Sequence, residues 1–375
     1  MRTRGTLRLA TRGSDLARRQ ASLVKSALED RRYEVELVTV ETTGDQIRDE
    51  LIHRLGKTGA FVRELDEHVL EGDLDAAVHS MKDMPTEQPT KLVTAAVPER
   101  GTPGDALVTP DGTTLEELPE GSVVGTSSLR RRAQLLSERP DLTIEPLRGN
   151  VDTRLEKLLA PALQAEHQRR SEADSERKAS TGDEEFEPEF DRTVDEWFDD
   201  LPELEKQALG REVETEYDAI VLAEAGLERS GVTHAVDYQR LPTNSFVPAP
   251  GQGALAVTAV DSETAREIQS AIDHPRSRVE TTVERTLLAE LGGGCIAPIG
   301  VYAVVQGEYA HTRVSVFDRD GEESVAATRD LPVETYAEAA REFADDLSER
   351  GAAALIERAR EDSETPAEED RPDGK

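Results

Sequence analysis

The chain has a single cysteine, Cys295, in the stretch LGGGCIAPIG. A thiol is a soft nucleophile that can bond covalently to an electrophilic carbon. The three glycines before it remove side chains and free φ, so a group other than protein can lie against this backbone. The bland alternative is a small buried hydrophobe. A second cluster is HSMKDMP, which brings together His79, Ser80, Lys82 and Asp83. A carboxylate in a polar loop can stabilise a cation and move protons, or simply cap a turn. The third kind of chemistry is cationic. TRGSDLARRQ carries Arg12 and Ser14, VGTSSLRRRAQ carries Thr126, Ser127, Ser128 and Arg130–Arg132, and LRGNVDTRLEKL carries Arg148 and Arg154. Guanidinium groups, hydroxyls and helix-start N–H groups that converge make an anion site; taken singly, each cluster is a solvated basic face.

These residues need elements to hold them. Ala17, Ala21, Val24 and Leu28 recur at helical spacing behind Ser14, a good N-cap, so LRLATRGSDLARRQ reads as strand, turn and helix. GSVVGTSSLRRRAQ repeats the plan, with a strand at Val123–Val124 and a helix that opens on arginines. Arginine in a first helical turn opposes the helix dipole, and a local rule broken in this way points to function. FVRELDEHVLEGDLDAAVHS predicts a helix, a stop at Gly72 and a strand near Ala76–Val78. HSMKDMP then falls at the carboxyl end of a strand, where open α/β sheets bind ligands. The pattern predicts a two-lobed α/β protein with an arginine-lined cleft.

Composition excludes several classes. The 375 residues suffice for two or three domains. One cysteine excludes an internal disulfide and a cysteine metal cluster, and no metal is expected. MRTRGTLRLATRG has no signal-peptide apolar run and no segment has transmembrane length, which implies a soluble, cytoplasmic protein without a membrane partner. Acidic residues number 78 against 45 basic, a net charge of −33, and only eight residues are lysine. Dispersed acidity of this kind suits very high salt and a halophilic source. It argues against nucleic acid, whose binding needs basic surface.

TRGSDLA, HSMKDMP, VGTSSLRRRAQ, LRGNVDTRLEKL, YDAIVLAEAGL, PAPGQGAL and LGGGCIAPIG occur in this order over most of residues 7–305. Together they resemble the porphobilinogen deaminase (hydroxymethylbilane synthase) family. The resemblance implies a transferase that joins four porphobilinogen molecules head to tail into hydroxymethylbilane, releasing ammonia, in tetrapyrrole biosynthesis. It implies three domains and a monomer. The first two domains would be like type II periplasmic binding proteins with the active site in the cleft between them. The third would be a small α+β domain with a three-stranded antiparallel sheet. By the same resemblance Cys295 carries a dipyrromethane cofactor through a thioether and Asp83 is the catalytic aspartate. Arg12, Arg130, Arg131, Arg148 and Arg154 match carboxylate-binding arginines, and Ser14, Ser80, Thr126, Ser127 and Ser128 match hydroxyl positions. Lys82, Lys57 in LGKTGAF and Gln252 in PAPGQGAL complete the binding set. Arg132 has no clear role, and LGKTGAF matches the family's glycine–lysine loop only in part.

The expected layout is a first domain from 1–98 plus about 247–268, and a second over 103–246. A third runs over 275–355, followed by a disordered tail at 361–375. Helical spacing of Val279, Val283, Leu287 and Leu291, stopped by Gly292–Gly294, opens the third domain. VYAVVQ, TRVSVFD and ESVAATR read as its strands, followed by a helix from Ala337. Residues from about 160–214 form an acidic insertion of weak periodicity, with one helix expected around Trp197. Two other classes are weighed. A non-catalytic anion-binding or sensor module needs the arginines but neither Asp83 nor Cys295. A cysteine hydrolase needs a histidine partner that no local context supplies.

Overall fold

A computed structural model describes residues 4–40, 60–180, 187–292, 294 and 297–364. Lys57 and Cys295 lie outside the described residues. The chain opens with β1 (Gly5–Arg12), α1 (Asp15–Glu29), β2 (Tyr33–Val40), α2 (Ala60–Leu70), β3 (Ala76–Ser80) and β4 (Leu92–Ala96). It continues through β5 (Asp105–Val108), β6 (Val123–Gly125), α3 (Leu129–Glu138), β7 (Thr143–Glu145) and α4 (Val151–Ala179). Next come α5 (Val194–Asp200), α6 (Glu203–Leu209), β8 (Ala219–Ala223), α7 (Glu224–Ser230), β9 (Tyr238–Arg240), β10 (Leu255–Val260) and α8 (Glu263–Ile272). The last part is α9 (Pro275–Leu291), β11 (Ile299–Gln306), β12 (Tyr309–Phe317), β13 (Ser324–Pro332), α10 (Tyr336–Leu347) and α11 (Ala353–Glu364).

Two five-stranded sheets share one topology. The first has the order β2-β1-β3-β10-β4 and the second β7-β6-β8-β5-β9. In each, three neighbouring strands are parallel and the fourth runs antiparallel. That fourth strand adjoins a crossover in each lobe, β5 opening the second lobe and β10 following the return into the first. The lobes are therefore joined by two crossovers, 97–104 and 241–254, which lie side by side. The Gly101 N–H donates to the Gly253 carbonyl at 3.1 Å. Gly253 has φ of 83°, and a Cβ there would sit 2.6 Å from the Gly101 oxygen, so the crossing requires glycine. Apolar clusters cover both faces of each sheet, with Leu9, Val24 and Leu28 in the first lobe and Leu107, Leu135 and Leu155 in the second.

The third unit has the antiparallel sheet β11-β12-β13 backed by α9, α10 and α11, as the strand and helix patterns predict. Its α9 ends where expected, with Gly292 in the left-handed conformation. α11 continues to Glu364, four residues into the expected disordered tail. The acidic insertion is more regular than its periodicity suggested. α4 runs on to Ala179 despite Pro161, and the single helix expected around Trp197 is two, α5 and α6, broken at Leu201–Pro202. Proline at position 202 cannot supply the N–H that would continue α5. The Arg170 guanidinium lies 4.2 Å from the Phe190 ring centroid and 5.2 Å from that of Trp197, pinning the excursion to α4. Among the described residues no helix is long and apolar enough to cross a membrane.

Candidate active site

HSMKDMP lies at the end of β3, as the sequence predicts. Ser80 leads into a 3₁₀ turn over Met81–Asp83, closed by the Met84 N–H donating to the Met81 carbonyl at 3.1 Å. Met81 and Met84 are buried and hold the turn down, leaving Lys82 half-buried and Asp83 exposed. His79 anchors the turn from behind. Its Nε2 lies 2.9 Å from Asp66 Oδ1 and 3.0 Å from Thr258 Oγ1, all buried. The Thr258 hydroxyl also donates to Asp66 Oδ1 at 2.6 Å.

The second lobe faces this turn with the start of α3. Ser128 is the N-cap and accepts from the Arg131 N–H at 3.4 Å, while Thr126 is buried beneath it. Arg130 and Arg131 do not stand free in a cleft. Both are buried against Asp105, the first residue of β5, which is itself fully buried. Arg130 Nη1 donates to Asp105 Oδ2 at 2.8 Å, and Arg131 Nε and Nη2 donate to Oδ1 at 3.0 and 2.7 Å. Burial works against a charged Asp105, yet the two guanidinium groups hold its carboxyl well below the usual carboxylate range. One carboxylate cannot neutralise two guanidiniums, so a positive charge is left over.

That surplus is felt across the cleft. Burial lowers the Lys82 ammonium below its ordinary value, with Asp83 opposing and Arg131 and Arg154 reinforcing the shift. Burial, and then Arg131, push Arg154 down to about 10, again against Asp83. Lys82 and Asp83 of one lobe therefore share a field with Arg131, Arg154 and Asp105 of the other. Lys82, Arg130, Arg131 and Arg154 set four cations against the carboxylates of Asp83 and Asp105, in a chain of net charge −33. The arrangement suits a polyanion.

The other expected site residues fall into two groups. Arg12 ends β1, and Ser14 caps α1 by accepting from the Ala17 N–H at 3.3 Å. Half-buried Arg148 precedes α4, Arg154 lies in its first turn with Nε donating to the Gly149 carbonyl at 2.8 Å, and the Ser127 hydroxyl donates to the Leu147 carbonyl at 2.8 Å. Gln252 is placed differently from expectation. It is buried between the crossovers, and its amide donates to Pro103 and Gly104 carbonyls and to Asp105 at 2.7–2.9 Å. These bonds tie the two crossovers together. Arg132 now has a contact: Nη2 donates to Asp320 of the third unit's β12–β13 turn at 3.1 Å. Asp105 was not singled out from sequence, although an acid opening the apolar run DALV needs a buried partner.

The family model of the porphobilinogen deaminase dipyrromethane cofactor binding domain matches residues 7–166 and 204–267, and that of the porphobilinogen deaminase C-terminal domain matches 279–349. The chain belongs to the porphobilinogen deaminase family. A probable porphobilinogen deaminase of Halobacterium salinarum is 55% identical over 388 residues, covering 94% of this chain and 98% of that one. One of Methanococcoides burtonii is 39% identical over 353 residues, covering 94% and 96%. The porphobilinogen deaminase of Campylobacter hominis is 35% identical over 357 residues, covering 95% and 98%. Membership makes this chain a transferase of tetrapyrrole biosynthesis that uses a dipyrromethane cofactor. The halobacterial relative accords with the acidic, high-salt composition. Residues 167–203 fall outside the family match and coincide with the end of α4 and with α5.

Proposed function

We propose that this chain joins four porphobilinogen molecules head to tail, releasing ammonia at each step, with Asp83 as the catalytic carboxylate and Cys295 as the covalent anchor. The observation that carries the reading is the exposed Asp83 at the edge of a two-lobe field in which cations outnumber carboxylates. The dipyrromethane group, when bound, supplies the ring carbon to which the first new pyrrole is joined. Its acetate and propionate groups fit the donor set of Arg12, Arg148, Arg154, Lys82 and the Ser128 hydroxyl, while Arg131, held by Asp105, adds positive field from behind. Arginine forks bind such groups in pairs of hydrogen bonds and so fix ring position.

Each coupling breaks the bond between the substrate's methylene carbon and its protonated amine, which takes the bonding pair and leaves as ammonia. The electron pair of the pyrrole nitrogen fills the vacancy, and positive charge spreads over ring and methylene. Asp83 stabilises that charge by standing near the ring N–H. The carbon–carbon bond to the acceptor ring would release a proton from its α-carbon, and Asp83 is the carboxylate that would accept it. The neighbouring cations hold the carboxylates and keep the rings from turning. The reading extends to a cytoplasmic monomer acting on a small dicarboxylate and without a nucleic-acid partner, whose phosphates a net charge of −33 would repel.

The test is single-turnover deamination in protein loaded with cofactor from a preformed tetrapyrrole. Asp83→Asn removes the charge and keeps the shape. Turnover falls at least about 100-fold while substrate affinity changes less than about threefold, because the lost interaction belongs to the transition state. Asp83→Glu, with the charge moved by one methylene, lies between. A parent-like rate in Asp83→Asn removes this carboxylate from the chemistry.

A further inference from the structure

Two successive residues of α9 hold different parts of the machinery. Glu284, fully buried, accepts from the two terminal guanidinium nitrogens of Arg100, Nη1 and Nη2, at 2.8 and 3.0 Å and from the Gly251 and Ala303 N–H groups at 2.7 and 2.9 Å. It thereby clamps both crossovers to the third unit. Arg285 reaches the first lobe. Its Nη1 donates to the Met81 and Met84 carbonyls at 3.2 Å each, and its Nη2 to the Pro85 carbonyl at 2.6 Å. These three carbonyls bracket Lys82 and Asp83. α9 then runs unbroken to Leu291 and stops at Gly292, three residues before Cys295. A single helix thus holds the backbone of the turn and, through Glu284, both crossovers.

We propose that Arg285 is a positioning residue for the coupling reaction, fixing the Lys82–Asp83 turn against α9. The proposal rests on the reading of Asp83 above. Its chemical logic is that carbonyls spread along a short turn need a planar, multidonor group to hold them together. A catalytic carboxylate must also be kept within fractions of an ångström of its working place. A displacement of about 1 Å costs on the order of 100-fold in rate.

The experiment compares Arg285→Ala, Arg285→Lys, Asp83→Asn and the Arg285→Ala/Asp83→Asn double variant, all cofactor-loaded and assayed well below their melting temperatures. Arg341→Ala is the control, since it cuts an exposed 3.2 Å pair to Glu290 on the same helix without touching the turn. Arg285→Ala lowers kcat about tenfold to 100-fold with KM changed less than about threefold, and hydrogen exchange at the Met84 amide quickens. Arg285→Lys recovers part of the loss. In the Asp83→Asn background the same alanine substitution costs less than about threefold more, because its effect passes through the turn. A folded Arg285→Ala with parent-like kcat overturns the proposal and leaves the Asp83 reading intact. A full multiplicative loss in the double variant also overturns it. If Arg285→Ala does not fold, Arg285→Lys is judged by the same kcat and exchange criteria. If Asp83→Asn alone is parent-like, the Asp83 reading falls. Slow turnover and quick exchange in Arg285→Ala then sustain positioning of Lys82.

Discussion

Asp105→Asn tests the buried centre of the second lobe. The parent carboxylate receives one hydrogen bond from Arg130, two from Arg131 and one from Gln252 at 2.9 Å, with no exposure to water. Asparagine keeps one acceptor, but its NH₂ must face a guanidinium N–H, donor against donor. Two buried like charges lose their common counter-ion. Breaking a buried pair in this way costs about 3–5 kcal/mol. The assay is urea unfolding at constant salt, followed by circular dichroism and by the emission of Trp197, the single tryptophan, which sits on the second lobe. The loss persists at about 1 M salt, where a Debye length of about 3 Å screens surface pairs but not this one. It also has a defined pH dependence. The Asp105 carboxyl titrates below its unfolded value of about 3.9, so its stabilisation is complete above that value and fades as pH falls through it. Parent and variant stabilities therefore converge in acid. A loss under about 1 kcal/mol at neutral pH, or one that vanishes in high salt, refutes the reasoning.

Intact mass of the purified protein exceeds the sequence mass by two deaminated porphobilinogen units, and Cys295→Ala abolishes the increment while the chain still folds; an unmodified, active parent contradicts the anchor assignment. Replacing residues 167–203 by a short glycine linker leaves cofactor assembly and product formation unchanged, because the Gln164 amide still reaches the Leu209 and Arg211 carbonyls at 3.2 and 2.7 Å and keeps α6 on α4. Loss of turnover in a folded deletion variant would give the insertion a catalytic part. Gly253→Ala, with its Cβ 2.6 Å from one carbonyl and 2.8 Å from the next at positive φ, destabilises by more than about 1 kcal/mol, measured by thermal melting.

Much of the fold was legible along the chain because its signals are short-range. The α1 spacing of Ala21, Val24 and Leu28, the cap at Ser14 and the glycine stop after Leu291 each depend on neighbours within a few residues. The surplus of acid and the ordered motifs were likewise present in the residues themselves. What tertiary structure decided is which charges meet. Arg130 and Arg131 are close in sequence to the hydroxyls of Thr126 to Ser128, yet they pair with Asp105, 25 and 26 residues away. Gln252 looked like a ligand group but faces the crossover at Pro103 to Asp105, and Arg132 reaches Asp320, 188 residues on. Arg285 finds the turn carbonyls 200 to 204 residues earlier. A helix or strand is specified by local geometry. The partner of a buried ion is specified by which distant segments pack beside it, because water is excluded only once those segments have assembled.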